Sequence, residues 1–405
     1  MPANLSGNMK KLGVLTGGGD VPGLNAAIKA IVYRSHGLDI QVTGLRAGWE
    51  GITFLDRSHT IAELTFHESE EGSWLSGYLM ALDRHNTRDI ERLGGTILQS
   101  TRTNPANVRV GDLPPHLMAR GKGYAPDDRI DLTEDVLANL EFLELDGLIV
   151  IGGDDTLSYG AKLASHGFPV WAIPKTMDND VPGTEYCIGF QTAIGRAAEF
   201  IGRVRSTAVS HRETVLFRMF GRDAGFTALE TGIVTWADRV LIPEVPCEVN
   251  RLAELIERDR HNPASYSIVV LSEGANLEGT QVPEYGPPDA YGHRVKSNVG
   301  EFLAKELSTR IPKVRFLPVD LTYILRSGEP DPYDKRMAIF YANLAINLVE
   351  QRIHGVMAAH RKGEFVYTDI PSKKLDARRV DPADYNSSRY RPNFEAIIGQ
   401  YAGNK

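Results

Sequence analysis

Three times in the first half of the chain, an apolar run stops at a glycine or aspartate turn and gives way to a helical pattern. "LGVLT" (Leu12 to Thr16) passes through "GGGDVPG" into "LNAAIKAIVYRS". "DGLIVI" (Asp146 to Ile151) passes through "GGDD" into "TLSYGAKLASHG", and "PVWAIP" (Pro169 to Pro174) passes through "KTMDNDVPGTEYCIGFQ" into a helix expected from Thr192 to Ser206. Strands that are apolar without alternation are buried on both faces, so they predict a parallel sheet with helices on either side. Ligands of such sheets bind in the loops at the carboxyl ends of the strands. All three turns lie at that edge and are expected to converge.

A second block of the same kind begins near His211. "ETVLFRMF", "YSIVVLSEGA" (Tyr266 to Ala275) and "VRFLPVDLTYIL" (Val314 to Leu325) read as strands, and "NRLAELIERDRH" and "DKRMAIFYANLAINLVEQRI" as helices. The chain's 405 residues exceed one ordinary core. The expectation is an α/β protein of two doubly wound domains with mainly parallel sheets and the active site in the cleft between them. Residues 1–208 form the larger domain and 209–330 the smaller. Residues 331–405 add a helix and an irregular segment packing back on the first.

The formal net charge of -7 argues against nucleic acid or an anionic membrane as partner. An anionic ligand therefore needs a local basic cluster. No apolar run approaches the ~18 residues of a membrane span. Cys187 and Cys247 stand outside any metal-ligand spacing and read as buried hydrophobes of a reducing compartment. The expectation is a cytoplasmic protein acting on small molecules.

Several loops carry chemistry. Gly17, Gly18 and Gly19 allow backbone N–H groups to approach an anion ahead of a helix N-terminus. "GGTILQSTRTNP" ends a small-residue loop with Arg102, suited to clamp a phosphate. In "PKTMDNDVPG", Asp178 and Asp180 flank Asn179, and Lys175 precedes them. A base, a carboxylate for magnesium and a cation are the parts that phosphoryl transfer needs. Arg222 follows Gly221, Glu273 ends an apolar strand, and Tyr323 and Arg326 end another.

Taken together, these stretches resemble the phosphofructokinase family, from about Lys11 to about Leu348. The motifs "GVLTGGGDVPGLNAAI", "GGTILQSTR", "VIGGDDTLSYGAKL", "IPKTMDNDVPGTEYCIGFQTAI", "FGRDAG", "LSEGA" and "RSGEPDPYDK" occur in the family's order. The resemblance implies phosphoryl transfer to the 1-hydroxyl of fructose 6-phosphate, with magnesium as cofactor. It implies that Gly18 contacts the donor's phosphates and Arg102 and Arg222 steady the reacting phosphates. Asp154 helps bind magnesium, and Asp178 is the base, supported by Asp180 and Thr176. Glu273, Tyr323 and Arg326 hold the sugar phosphate. Members using ATP generally have glycine at the positions of Asp155 and Lys175, and members using pyrophosphate resemble this chain at both. The family also implies a homodimer or homotetramer with arginines crossing an interface.

The acceptor side departs from the pattern. The usual Met-Gly-Arg reads Phe220-Gly221-Arg222, with Met219 one residue early, which leaves the match of Arg212 to an interface arginine open by one position. Many members have histidine at Tyr323. A further sugar-phosphate arginine is expected at Leu317, and Arg315, two residues earlier and on the same strand face, is its candidate substitute. Alternatives are another acceptor such as sedoheptulose 7-phosphate, ATP as donor, a lipid or NAD kinase sharing only "GGDD", and a dinucleotide-binding module. The last leaves Asp178, Lys175 and Glu273 without a task.

Overall fold

The computed structural model describes residues 9–66, 77–261, 265–279, 284–286, 291–292, 294–372 and 377–401. The fold is α/β. A seven-stranded sheet runs in the order Glu364–Asp369, Val356–Arg361, Val170–Pro174, Gly147–Gly152, Lys11–Thr16, Gln41–Leu45, Leu79–Leu82. Only the two outermost strands run antiparallel to their neighbours. A four-stranded, wholly parallel sheet follows, ordered Phe316–Asp320, Thr214–Met219, Ser267–Ser272, Arg239–Leu241. The central strands are buried along their whole length, which is why their sequences show no alternation. Among the described residues, no helix is long and apolar enough to cross a membrane.

The larger sheet positions the site through its connectivity. From Lys11–Thr16 the chain moves outward to Gln41–Leu45, then returns to the other side for Gly147–Gly152. The order therefore reverses between Lys11–Thr16 and Gly147–Gly152. The loops leaving these strands splay to opposite faces and open a crevice at their carboxyl ends. The Gly17 turn and the Asp154–Asp155 turn border that crevice.

Three local expectations change. The helix expected from Thr192 to Ser206 runs from Phe190 to His211. The segment Val314 to Leu325 is a strand only over Phe316–Asp320 and becomes a short helix at Thr322–Arg326. The Asp320 carboxylate stops the strand by accepting from the Thr322 N–H (3.0 Å) and hydroxyl (2.7 Å). The C-terminal part divides between the two sheets. Val356–Arg361 and Glu364–Asp369 form a hairpin that extends the larger sheet. Residues 377–401 instead reach the smaller sheet, where Val240 N–H donates to the Tyr390 carbonyl (2.7 Å) and Tyr385 Oη to the Val240 carbonyl (2.5 Å). Tyr385 and Tyr390 are buried there, while the Arg378 N–H of the same segment donates to the Asp180 carbonyl of the larger body (2.8 Å), so the segment spans both.

One buried carboxylate joins the helix starts around the site. Asp334, fully buried, opens the helix Pro332–Glu350. One of its oxygens accepts from Tyr186 Oη (2.8 Å) and Gly189 N–H (2.7 Å). The other accepts from the Thr192 N–H (2.8 Å) and hydroxyl (2.5 Å). Burial pushes this carboxyl up to about 6, while the donors pull it down. It is therefore ionised at neutral pH. Asp334→Asn turns an amide N–H onto donors that need an acceptor, and is expected to destabilise by about 3 kcal/mol. A lower urea midpoint at unchanged slope is the readout, and an unchanged midpoint would show that these donors find another acceptor.

Candidate active site

Both sheets direct their strand ends into one polar cleft. Gly18, Arg102, Lys175 and the adjacent Asp154 and Asp155, drawn from four separate stretches of sequence, line it together. Gly18 has φ +79°, a conformation that favours glycine. Its N–H donates to the Thr101 carbonyl (3.0 Å), and Ser100 Oγ donates to the Gly18 carbonyl (2.5 Å). The glycine turn and the loop that presents Arg102 are thus held together. Asp154 and Asp155 form the first turn of the helix Asp154–Ser165. Asp154 is exposed and Asp155 is half-buried.

Lys175 leaves the end of the strand Val170–Pro174 and is only 3% exposed. Its Nζ donates to the Gly19 carbonyl (2.6 Å). Burial, with Arg326 and Arg102 adding to it, pulls the ammonium down to about 8, while Asp20 and Asp154 oppose the shift.

Thr176, Asp178 and Asp180 form the floor. The Asp178 N–H donates to Thr176 Oγ1 (3.1 Å). Burial raises the Asp178 carboxyl well above the usual range, and the neighbouring Asp180 and Glu273 raise it further. Burial and then Asp154 raise Asp180 to about 7. These two carboxyls hold protons more tightly than ordinary aspartates.

The smaller sheet supplies Phe220, Arg222, Glu273 and Arg326. Phe220 and Arg222 line the cleft while Met219 is fully buried in the core, and this sets the register of the segment. Gly221 does not line the cleft; it turns the chain between them, and its carbonyl accepts from Gly274 N–H (3.0 Å). Arg218 faces both Glu273 (3.6 Å) and Asp320 (3.2 Å) and keeps the glutamate at the strand end. Arg326 crosses to the other body. Its Nη1 donates to the Asp20 carbonyl (3.1 Å), and its guanidinium lies 4.3 Å from the Phe220 ring centroid. A Cβ on Gly19 would come within 2.1 Å of Nη1, so a glycine is what lets the arginine approach the donor turn.

Arg212, Arg315 and Tyr323 stay outside this cleft. Arg315 precedes its strand, so the same-face argument does not apply to it; it pairs with Glu213 (3.0 Å). Arg212 ends the helix Phe190–His211 with φ 56°. Tyr323 is 82% exposed, because the helical turn at Thr322–Arg326 points it away from Arg326. The cleft also contains residues that sequence reasoning missed, chiefly Asp223 and Tyr291. Asp223 directly follows Arg222, so adjacency was an available signal. Tyr291 lies in a proline- and glycine-rich loop and donates to the Thr103 carbonyl (3.1 Å), a contact with no local signature.

Among the described residues, no three His, Cys, Asp or Glu side chains form a closed metal site. An exposed Asp154 at the rim of an open, carboxylate-lined cleft fits magnesium, which takes one or two protein carboxylates and completes its shell with phosphate and water oxygens.

The sequence model of the family described as Phosphofructokinase matches residues 11–349. A pyrophosphate--fructose 6-phosphate 1-phosphotransferase from Dictyoglomus thermophilum is 33% identical over 93% of this chain and 97% of its own length. An ATP-dependent 6-phosphofructokinase 1 from Thermus thermophilus is 32% identical over 92% of this chain and 96% of its own. A crystal structure of a pyrophosphate-dependent phosphofructokinase from Nitrosospira multiformis superposes with a TM-score of 0.71 over 96% of this chain and 91% of that one, at 14% identity.

The buried ammonium has a cost that can be measured. The Lys175 pKa falls from 10.5 to about 8 on folding, so the charge destabilises the fold by about 3 kcal/mol below pH 8. Between about 8 and 10.5 the unfolded chain holds this proton and the folded one does not, so the cost shrinks as pH rises. Lys175→Met is expected to be more stable than the parent below pH 8, with the gap closing by pH 10.5. An equal or lower urea midpoint at pH 7 would show that the charge is compensated in place.

Proposed function

The chain belongs to the phosphofructokinase family, and within it we propose that it transfers a phosphoryl group from inorganic pyrophosphate to the 1-hydroxyl of fructose 6-phosphate. The observation that carries the donor assignment is that Asp155 and Lys175 both line this cleft. A carboxylate at 155 stands where a nucleotide's α-phosphate would extend. Two unit charges ~4 Å apart repel by about 1 kcal/mol in water and about 4 kcal/mol in a partly desolvated site. Pyrophosphate ends short of this charge, and Lys175 meets its leaving end.

The residues that line the cleft support the following roles. The sugar's 1-hydroxyl oxygen attacks the terminal phosphorus, its proton passes to Asp178, and the bond to the leaving phosphate breaks. Asp178 suits this task because its surroundings raise its proton affinity. Arg102 and Arg222 face the transferred group from opposite bodies, and Lys175 stabilises the charge gathering on the phosphate that leaves. Thr176 and Asp180 orient the loop. Asp154 would hold a magnesium ion, whose positive charge would offset that of the phosphates. Glu273 and Arg326 bind the sugar phosphate. The larger sheet is then the donor body and the smaller the acceptor body. Arg212, Arg315 and Tyr323, outside the cleft of one chain, are available to the site of a neighbouring copy in a homodimer or homotetramer. Similar identity to an ATP-dependent relative keeps ATP as the second reading, and sedoheptulose 7-phosphate is the alternative acceptor.

Initial rates with each donor and acceptor test this. Pyrophosphate with fructose 6-phosphate should give the highest kcat/KM, and turnover with ATP alone would reverse the donor assignment. Asp155→Gly should raise the ATP-to-pyrophosphate ratio of kcat/KM by about 10- to 100-fold; an unchanged ratio would remove Asp155 as the gate. Activity should climb as the raised carboxyls lose their protons, and fall above about pH 8 as Lys175 loses its charge.

A further inference from the structure

Asp178 and Asp180 sit on a turn that does not hold itself. Asn179 between them has φ 54° and is almost fully buried. A non-glycine residue keeps that backbone only when its surroundings impose it. Asn179 bonds within the loop, its Nδ2 to the Glu185 carbonyl (3.1 Å) and its Oδ1 to the Cys187 N–H (2.9 Å). The remaining restraints come from elsewhere. The Asn179 carbonyl accepts from Arg378 Nη1 (3.1 Å), and the Asp180 carbonyl from the Arg378 N–H (2.8 Å). The same Nη1 reaches the Glu185 carbonyl (3.0 Å). Arg378 therefore bonds both limbs of the turn.

The arginine is itself anchored on the smaller body. Its guanidinium lies 4.4 Å from the Phe226 ring centroid, at the start of the helix Phe226–Thr235. Two residues on, the Val380 N–H and the Gly225 N–H share Glu244 Oε1, each at 2.9 Å. Further donors grip the far limb of the turn, with Arg361 Nε on the Gly183 carbonyl (2.7 Å) and Lys362 N–H on the Glu185 carboxylate (2.8 Å). Arg361, Lys362 and Arg378 all lie beyond residue 349, where the family match ends.

We infer that Arg378 is a positioning residue, a clamp from the C-terminal segment that fixes the Asp178–Asp180 turn and seats it against the smaller body. It does not line the cleft, so it acts through the turn and not on substrate. By drawing the Asn179 and Asp180 carbonyls to itself, it fixes both peptide planes that flank Asp180, and through Asn179 it restrains the backbone that carries Asp178. Nη1 serves both limbs while the guanidinium plane stacks on Phe226, a combination that a lysine ammonium does not reproduce.

The effect on turnover rests on the catalytic reading of Asp178; the effect on the turn does not. Arg378→Ala and Arg378→Lys in the full chain are compared with the parent by hydrogen–deuterium exchange and by kinetics with pyrophosphate and with ATP. Exchange in peptides covering 176–187 should rise at least tenfold in both variants, with 147–152 unchanged. With whichever donor the parent uses, kcat should fall at least 30-fold while both KM values stay within threefold. Unchanged exchange at 176–187 overturns the clamp whatever the activity. Raised exchange with kcat within threefold of the parent, or with KM rising as kcat holds, overturns the positioning role. A parent that phosphorylates no sugar phosphate refutes the proposed function alone, and exchange still decides the clamp. If the alanine variant does not fold, the lysine variant decides by the same measurements.

Discussion

A buried ammonium governs one side of the cleft. Lys175 is delivered by a core strand, its own N–H still paired with the Gly152 carbonyl (2.9 Å), so its place is fixed by the sheet. Its Nζ finds the Gly19 carbonyl, which can accept a hydrogen bond but cannot neutralise a charge. Asp20 and Asp154 favour the charge without cancelling the burial that opposes it. The cleft thus stores an electrostatic demand that an anion answers. An enzyme with net charge -7 gains an anion site in this way without a basic surface.

The site also needs both sheets. Gly18, Asp154 and Asp178 lie on the larger body, while Arg222, Glu273 and Arg326 come from the smaller. Arg326 ties them together, resting on Phe220 and donating to Asp20. Thr227 Oγ1 donates to the Met177 carbonyl (2.6 Å), so the smaller body supports the catalytic turn from beneath as well. Within the larger body, Asp334 fixes the helix that follows the Arg326 segment against the start of the helix Phe190–His211. Relative movement of the bodies would disturb the base and the phosphate ligands together.

What the sequence revealed is what local order encodes. Unbroken apolar runs announced buried parallel strands, and the residues just past them, Gly18, Asp154, Lys175, Asp178, Glu273, do converge. Boundaries failed where a side chain decided them, as at Asp320, whose hydrogen bonds to Thr322 turn a strand into a helix and carry Tyr323 out of the cleft. The same-face argument for Arg315 fails for a related reason: a period-two argument holds only inside a strand, and Arg315 precedes it. Tyr291 and Arg378 were invisible because their partners are 188 and 199 residues away. Nothing in the spacing of a loop predicts which distant carbonyl it will meet.

The adjacent carboxylates of "GGDD" are explained by where the helix begins. The sequence reading starts that helix at Thr156, which leaves two like charges stranded in a loop. The helix in fact begins at Asp154, so both are first-turn residues. The unpaired N–H groups of a helix start favour acidic side chains by roughly 0.3–1 kcal/mol each. The same N-terminus would otherwise attract an extended anion. Occupying it with carboxylates costs the fold little, since the helix itself favours them, and removes a ready phosphate subsite from this part of the cleft. On the proposed pyrophosphate reading, selectivity against a longer donor would then need no clash of large groups, because the helix start carries its own acids and Gly18 and Lys175 would be left to meet the anion.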